Sequence, residues 1–213
     1  MLSSHKRTLI VTSIVTALPI LAGVLLWDRL PEVMAIHFGM DNAPNGFSGK
    51  AFAVFGIPLF CLAMQWVAAF ITARDPGKRN ISPKLYGVIL WIIPVTSLTA
   101  ALVVYSTNLG YEINITFIME LLMGFMLIFI GNFLPKARRN HSIGIRVPWT
   151  LNNEKNWNRT HRFAGYLWVI AGIVIIALTL TGIIRADWLI AMFFIVAFAP
   201  CFYSYLLYVR HSV

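Results

Sequence analysis

The sequence predicts an all-α, polytopic membrane protein with six transmembrane helices and both termini in the cytoplasm. Three observations carry that prediction. Of 213 residues, 59% are hydrophobic and only 12% charged, against roughly 25% charged in a typical soluble domain. The mean hydropathy is +0.75. The apolar residues gather in six stretches, each close to the length of about 20 residues that a helix needs to cross the hydrocarbon core.

The stretches are 9–27, 51–72, 85–107, 113–134, 163–184 and 188–209. The first is followed by Asp28, Arg29, Leu30 and Pro31 rather than by a small-residue cleavage site, so it reads as a retained helix and not as a signal peptide. Pro19, Pro58, Pro94 and Pro200 each fall inside a stretch. Proline lacks a backbone donor and crowds the preceding turn, so each is expected to bend its helix. Two long loops remain, 28–50 and 135–162. The link 74–84 (RDPGKRNISPK) reads as a turn-rich, solvated connector, and 186–187 as little more than a turn. The length suits one membrane domain over 1–213.

Orientation follows from the basic residues. With the N-terminus inside, the cytoplasmic side holds Lys6, Arg7, Arg74, Lys78, Arg79, Lys84, Lys136, Arg138, Arg139, Arg146, Lys155, Arg159, Arg162 and Arg210, and the outer side only Arg29, Lys50 and Arg185. Positive charge is retained on the cytoplasmic side of membranes, which predicts both ends inside. The formal net charge of +9 therefore serves topology and anionic headgroups. No basic stripe with an aromatic platform accompanies it, so no nucleic-acid partner is expected. Cys61 and Cys201 lie apart in apolar segments and form no CxxC motif, and they read as small buried hydrophobes.

Few residues could carry chemistry. Glu120 stands inside the fourth stretch, where a carboxylate costs a few kcal/mol unless it is paired, protonated or facing water. It reads as a proton or cation site, or as a hydrogen-bonded interhelical contact. Asn132, in the same stretch, could bond between helices for about 1 kcal/mol. The densest polar run is NHSIGIRVPWTLNNEKNWNRTHRF, from Asn140 to Phe163. In it, Gly144, Arg146, Pro148, Trp149 and Thr150 combine a rigid turn with a planar donor fork. That pattern could bind a carboxylate or a partner surface. Tryptophans and arginines at a membrane face also anchor at headgroup level, which is the simpler reading of Trp149, Trp157 and Arg162.

His141 and His161, with Glu154 between them, match no zinc spacing. No nucleophile motif, catalytic carboxylate pair or phosphate-cradling glycine loop is present, so neither an enzyme nor a cofactor is expected. Loop 28–50 is rich in turn residues and carries Val33, Met34, Ile36, Phe38, Met40 and Phe47 beside His37. It reads as a membrane-surface loop or a sticky lid. His37 precedes Pro44 by the same interval as His141 precedes Pro148, which fits either chance or an inverted three-helix repeat of the kind transporters use.

Two loops carry a resemblance. His141-Ser-Ile-Gly144-Ile-Arg146-Val-Pro148-Trp149-Thr150-Leu, followed by Trp157 and His161-Arg162-Phe163, resembles the signature of the SdpI family. Asn108-Leu-Gly110-Tyr-Glu-Ile-Asn114 and Gly131-Asn132 fit it too. Leu30-Pro31, Ile36-His37-Phe38, Gly46 and Lys50 resemble the DUF1648 type of membrane region that precedes it. The resemblance divides the chain into an N-terminal region, 8–84, and an SdpI-like region, 85–213. It implies a plasma (inner) membrane protein of a bacterium that confers immunity to a secreted, membrane-active peptide toxin. It further implies signalling by drawing a cytoplasmic transcriptional repressor to the membrane. Motif membership passes to Arg146, Pro148, Trp149, Thr150, Trp157, His161 and Arg162, and to His37 in the outer loop. Glu120 belongs to neither motif. Rival readings are a secondary transporter or peptide exporter using Glu120, and a membrane-embedded enzyme acting on a lipid or peptide with His141 or His161 as base.

Overall fold

The computed structural model describes residues 5–210. Six helices are long and apolar enough to cross a membrane: Lys6–Leu25, Phe52–Ala73, Pro83–Asn108, Ile115–Lys136, Glu154–Thr181 and Asp187–Val209. These are the six expected, and the chain is a multi-pass membrane protein. The chain groups into two compact units, one of Met1–Arg74 with Pro83–Thr116 and one of Asp75–Ser82 with Phe117–Val213.

The first unit holds α1 (Lys6–Leu25), β1 (Val33–Phe38), β2 (Pro44–Gly49), α2 (Ile57–Ala73), α3 (Pro83–Leu90) and α4 (Ile92–Asn108). Loop 28–50 folds back on itself. It is an antiparallel hairpin pairing Val33 with Gly49 and Phe38 with Pro44, with an irregularity around His37. Met34 and Ala35 point inward, and Met34 joins Leu30, Ala53, Val54, Val104 and Tyr105 in a core cluster. Ile36 and Phe38 are half-buried against that cluster, and Val33, Met40 and Phe47 are exposed.

Two asparagines clamp this hairpin. The Asn108 amide takes the Ala35 N–H (2.9 Å) and donates to the Ala35 carbonyl (2.8 Å), pairing with β1 as a strand would. Asn42, at φ +63°, accepts the Thr116 N–H (2.8 Å) near the start of α5 (Ile115–Phe133). Lys50 is buried, with Nζ donating to the Trp27 carbonyl (3.1 Å) and 2.9 Å from a Glu32 carboxylate oxygen. Between the helices, Gln65 Nε2 donates to Thr12 Oγ1 (2.7 Å) and Gln65 Oε1 lies 2.5 Å from Thr16 Oγ1. An amide removed from water needs such partners, and these tie α1 to α2.

Two of the four prolines leave a visible mark on the backbone. Pro94 would crowd the carbonyl four residues back, that of Leu90. Leu90 is where α3 ends, and α4 restarts after Trp91. Pro58 would crowd Val54 in the same way, and there the chain widens into a π-helical turn, Phe52–Gly56. Pro19 and Pro200 sit inside continuous α-helix.

The second unit contains α5 from Phe117 onward, α6 (Pro148–Asn152), α7 (Glu154–Thr181) and α8 (Ala186–Val209). α5 and α7 cross closely on glycines. A Cβ at Gly172 would lie 2.5 Å from the Gly124 carbonyl oxygen, and one at Gly165 would lie 2.8 Å from that of Gly131. Small residues let helix backbones touch where lipid gives no hydrophobic incentive to associate. The fifth helix differs from expectation, since it begins at Glu154 instead of 163. Asn153 Oδ1 caps it by accepting the Lys155 and Asn156 N–H groups (2.9 and 3.1 Å). Hydropathy could not reveal its first turns because they are polar. They are helical because Asn156, Trp157, Thr160 and His161 are buried against the rest of the unit.

Candidate functional site

The polar run before and into α7 folds into a knot at one end of the second unit. Its geometry starts from Pro148. The residue before a proline is driven to extended backbone, and Val147 sits at φ −103°, ψ 157°. Proline then occupies the first turn of α6, where its missing N–H costs nothing. Thr150 closes the turn: its hydroxyl accepts the Val147 N–H (3.1 Å) and lies 2.8 Å from the Ile145 carbonyl oxygen. Trp149, next to them, packs its ring on Tyr205 and Tyr208 of α8 (centroids 5.4 and 6.0 Å).

Gly144 lies against the Nε2 edge of His161. Its φ is +110°, and a Cβ there would overlap the imidazole Nε2. That nitrogen accepts the Ile145 N–H (3.0 Å), and the other, Nδ1, is 2.8 Å from the Trp157 carbonyl oxygen. The network therefore assigns the proton to Nδ1. The imidazole stacks on Trp157 (centroids 3.9 Å, interplanar 18°), whose Nε1–H donates to the Ala137 carbonyl (2.7 Å). Both nitrogens of His161 are engaged inside the fold, so neither can ligate a metal or act as a base without breaking the knot. No group of three or more metal-ligating side chains occurs among the described residues.

The connector 74–84 was expected to be solvated. Instead, Asp75 is its buried anchor, with a side chain that has no exposed surface. Its carboxylate accepts the Gly77 N–H (2.6 Å), the His141 N–H (2.9 Å) and the Ser142 hydroxyl. The His141 ring remains mostly exposed, with Nδ1 3.8 Å from the same carboxylate. Asn140, fully buried, accepts the Ser142 and Ile143 N–H groups (2.9 and 2.7 Å). Arg146 folds back so that Nη1 donates to the His141 carbonyl (2.5 Å). On the α8 side, Asn156 Nδ2 donates to the Ser204 carbonyl (2.9 Å), and the Ser204 hydroxyl donates to Asn156 Oδ1 (2.6 Å).

Most of the motif therefore converges. Gly144, Thr150, Trp157 and His161 form the inside of the knot, and Arg146 and Pro148 lie on its exposed skin. Arg162, one residue beyond His161, leaves the knot and lines a separate cleft. Asn132 is exposed on α5, 3.5 Å from Lys136 Nζ. His37 is exposed on the hairpin of the first unit, with Nδ1 2.5 Å from Asn45 Oδ1. Glu120 is buried in α5. An apolar cavity of about 300 Å³ lies between α5, α7 and α8, lined by Met123, Met126, Trp168, Ile175, Met192 and Val196 among others. Sequence reasoning missed Asp75, Asn140, Asn156 and Ser204. Asn140 and Asn156 lie within the dense polar run, and an Asp-Pro-Gly turn signal surrounds Asp75.

The motif-bearing stretch can now be set against known proteins. Residues 136–204 match the SdpI/YfhL protein family, and residues 14–62 match a domain of unknown function, DUF1648. A relative, Immunity protein SdpI of Bacillus subtilis (strain 168), is 30% identical over 174 residues, covering 80% of each chain. The chain belongs to the SdpI family. Its family-matched segment takes in the knot from Lys136 through Ser204, and the DUF1648 match takes in the hairpin between most of α1 and the start of α2. No solved structure matches this SdpI-family chain.

Proposed function

We propose that this chain is an immunity protein of a bacterial plasma membrane, protecting the cell against a membrane-active peptide toxin. The observation that carries the reading is similarity to Immunity protein SdpI across 80% of both chains. In this reading the chain acts as one membrane domain, with both termini and the knot in the cytoplasm and the hairpin outside, a placement the distribution of basic residues supports. The toxin meets the hairpin end of the first unit, where an open cleft of about 460 Å³ is lined by Asn42, Tyr111, Glu112 and Asn114. The exposed skin of the knot, Arg146 and Pro148, faces the cytoplasm and is the surface available to a repressor.

Survival tests it. Cells sensitive to the sporulation-delaying peptide are given the wild-type chain or Arg146→Ala at matched membrane levels and then challenged. Wild type should protect, and the variant should lose most protection because the His141 carbonyl loses its charged donor. No protection by wild type would overturn the proposal and turn attention to Glu120 and transport. Orientation is checked separately. With Cys61 and Cys201 replaced by serine, a membrane-impermeant thiol reagent applied outside should label Asp41→Cys and miss Lys155→Cys. The reverse pattern would invert every role assigned to the two faces.

A further inference from the structure

We propose that the cleft between α7 and α8 beside the knot binds the phosphate of an anionic phospholipid headgroup. The cleft is open, about 390 Å³, and lined by Asn158, Arg159, Arg162, Phe163, Tyr166 and Tyr203. Four observations converge on this ligand.

The first is depth. α7 runs for 28 residues, Glu154–Thr181, and its apolar part, 163–181, spans about 28 Å at the helical rise. That matches a hydrocarbon core of about 30 Å. Arg159 and Arg162, immediately before it, therefore stand at the level of the lipid phosphates. The second is chemistry. Arg159 and Arg162 are three residues apart on one helix face, and planar guanidinium forks suit phosphate oxygens. Among the described residues Arg162 has no hydrogen-bond or ion-pair partner, so its charge is open to a ligand.

The third is the aromatic lining. Phe163 and Tyr203 pack ring to ring (centroids 4.7 Å), and Tyr166 is 66% exposed. Phenol rings at this level are amphipathic, with an apolar body toward the glycerol and a polar tip toward the headgroup. The fourth separates a lipid from free phosphate. The cleft opens onto an exposed apolar track on the same helix, Tyr166, Ile170 and Ile173, spaced to lie on one face. An acyl chain can lie along that track, and inorganic phosphate has no use for it.

The test uses the whole chain in neutral detergent. Binding of dioleoyl phosphatidylglycerol, dioleoyl phosphatidylcholine and inorganic phosphate is compared by native mass spectrometry and by thermal unfolding. The anionic lipid should bind at least tenfold more tightly than the zwitterionic one. Arg159→Gln/Arg162→Gln should erase that preference, while Arg138→Gln, an exposed arginine elsewhere in the unit, should keep it. Circular dichroism checks that the double variant is folded. Equal binding of both lipids, a preference that survives the double substitution, or stabilisation by inorganic phosphate equal to that by the anionic lipid would each overturn the proposal. None of these outcomes depends on toxin immunity.

Discussion

Gly144→Ala is expected to open the knot. The substitution meets two penalties at once. A φ of +110° is left-handed backbone that costs a side-chain-bearing residue about 1–3 kcal/mol. The new methyl group would also overlap His161 Nε2, in a ring already fixed by Ile145, Trp157 and the Trp157 indole stack. Overpacking a site that cannot yield costs a further 1–3 kcal/mol or so. The sum is on the order of 4 kcal/mol, large against the stability of most folded proteins. Gly182→Ala supplies the control. Gly182 also has a positive φ, +68°, but nothing lies within 4 Å of its Cβ position, so only a backbone cost of about 1 kcal/mol applies. Thermal unfolding in detergent should therefore place Gly144→Ala well below Gly182→Ala, with immunity lost in step. Equal melting of the two variants would show that the His161 contact does not hold the knot together.

Asp75→Asn should detach the connector from the motif. The carboxylate accepts from Gly77, His141 and Ser142 without exposure to water. An asparagine keeps one acceptor oxygen and turns an amino group toward donors, leaving buried N–H groups without partners. Removing a charged acceptor from such a set costs about 3 kcal/mol. The loss should be local, because Asp75 joins two loops and not two helices. Hydrogen exchange is the direct readout. The Gly77 and His141 amides should exchange on the order of 100-fold faster, as about 1.4 kcal/mol per decade requires, while the α5–α7 crossing at Gly124 and Gly172 stays protected. Unchanged exchange at His141 would mean that Asp75 is not the anchor. Immunity measured on the same variant would then report whether the anchored arrangement, and not merely the motif residues, is needed.

The two experiments probe two contacts of one structure. His161 was a candidate base or ligand as a sequence residue, and in the fold it is a bonded spacer between Gly144 and Trp157. Asp75 looked like part of a solvated turn, and it is the most enclosed carboxylate of the second unit. Arg146 was read as a free donor fork. One of its nitrogens instead holds a carbonyl of its own loop, which leaves its remaining donors for a partner on the exposed side. The family resemblance places Arg162 in one motif with His161, but adjacent positions on a helix point about 100° apart. That rotation alone moves Arg162 from the knot into the cleft beside Tyr203.

The sequence by itself determined the number of spans, their approximate limits and the two loops that carry the family signature. Apolar runs of bilayer length leave a chain no alternative, because a backbone in hydrocarbon must satisfy its hydrogen bonds internally. It also marked the turn at Pro148, where a local rule of backbone geometry suffices. Only the tertiary structure decided that loop 28–50 is a hairpin, that α7 begins at Glu154, and that Asp75, Asn140, Asn156 and Ser204 belong to the motif. Those decisions rest on polar side chains bonding residues far away in the chain, as Asp75 does with His141 and Asn156 with Ser204. Hydropathy weighs each residue by itself and counts such groups as solvated. Their burial is favourable only once the partners are in place, and the folded chain alone brings them there.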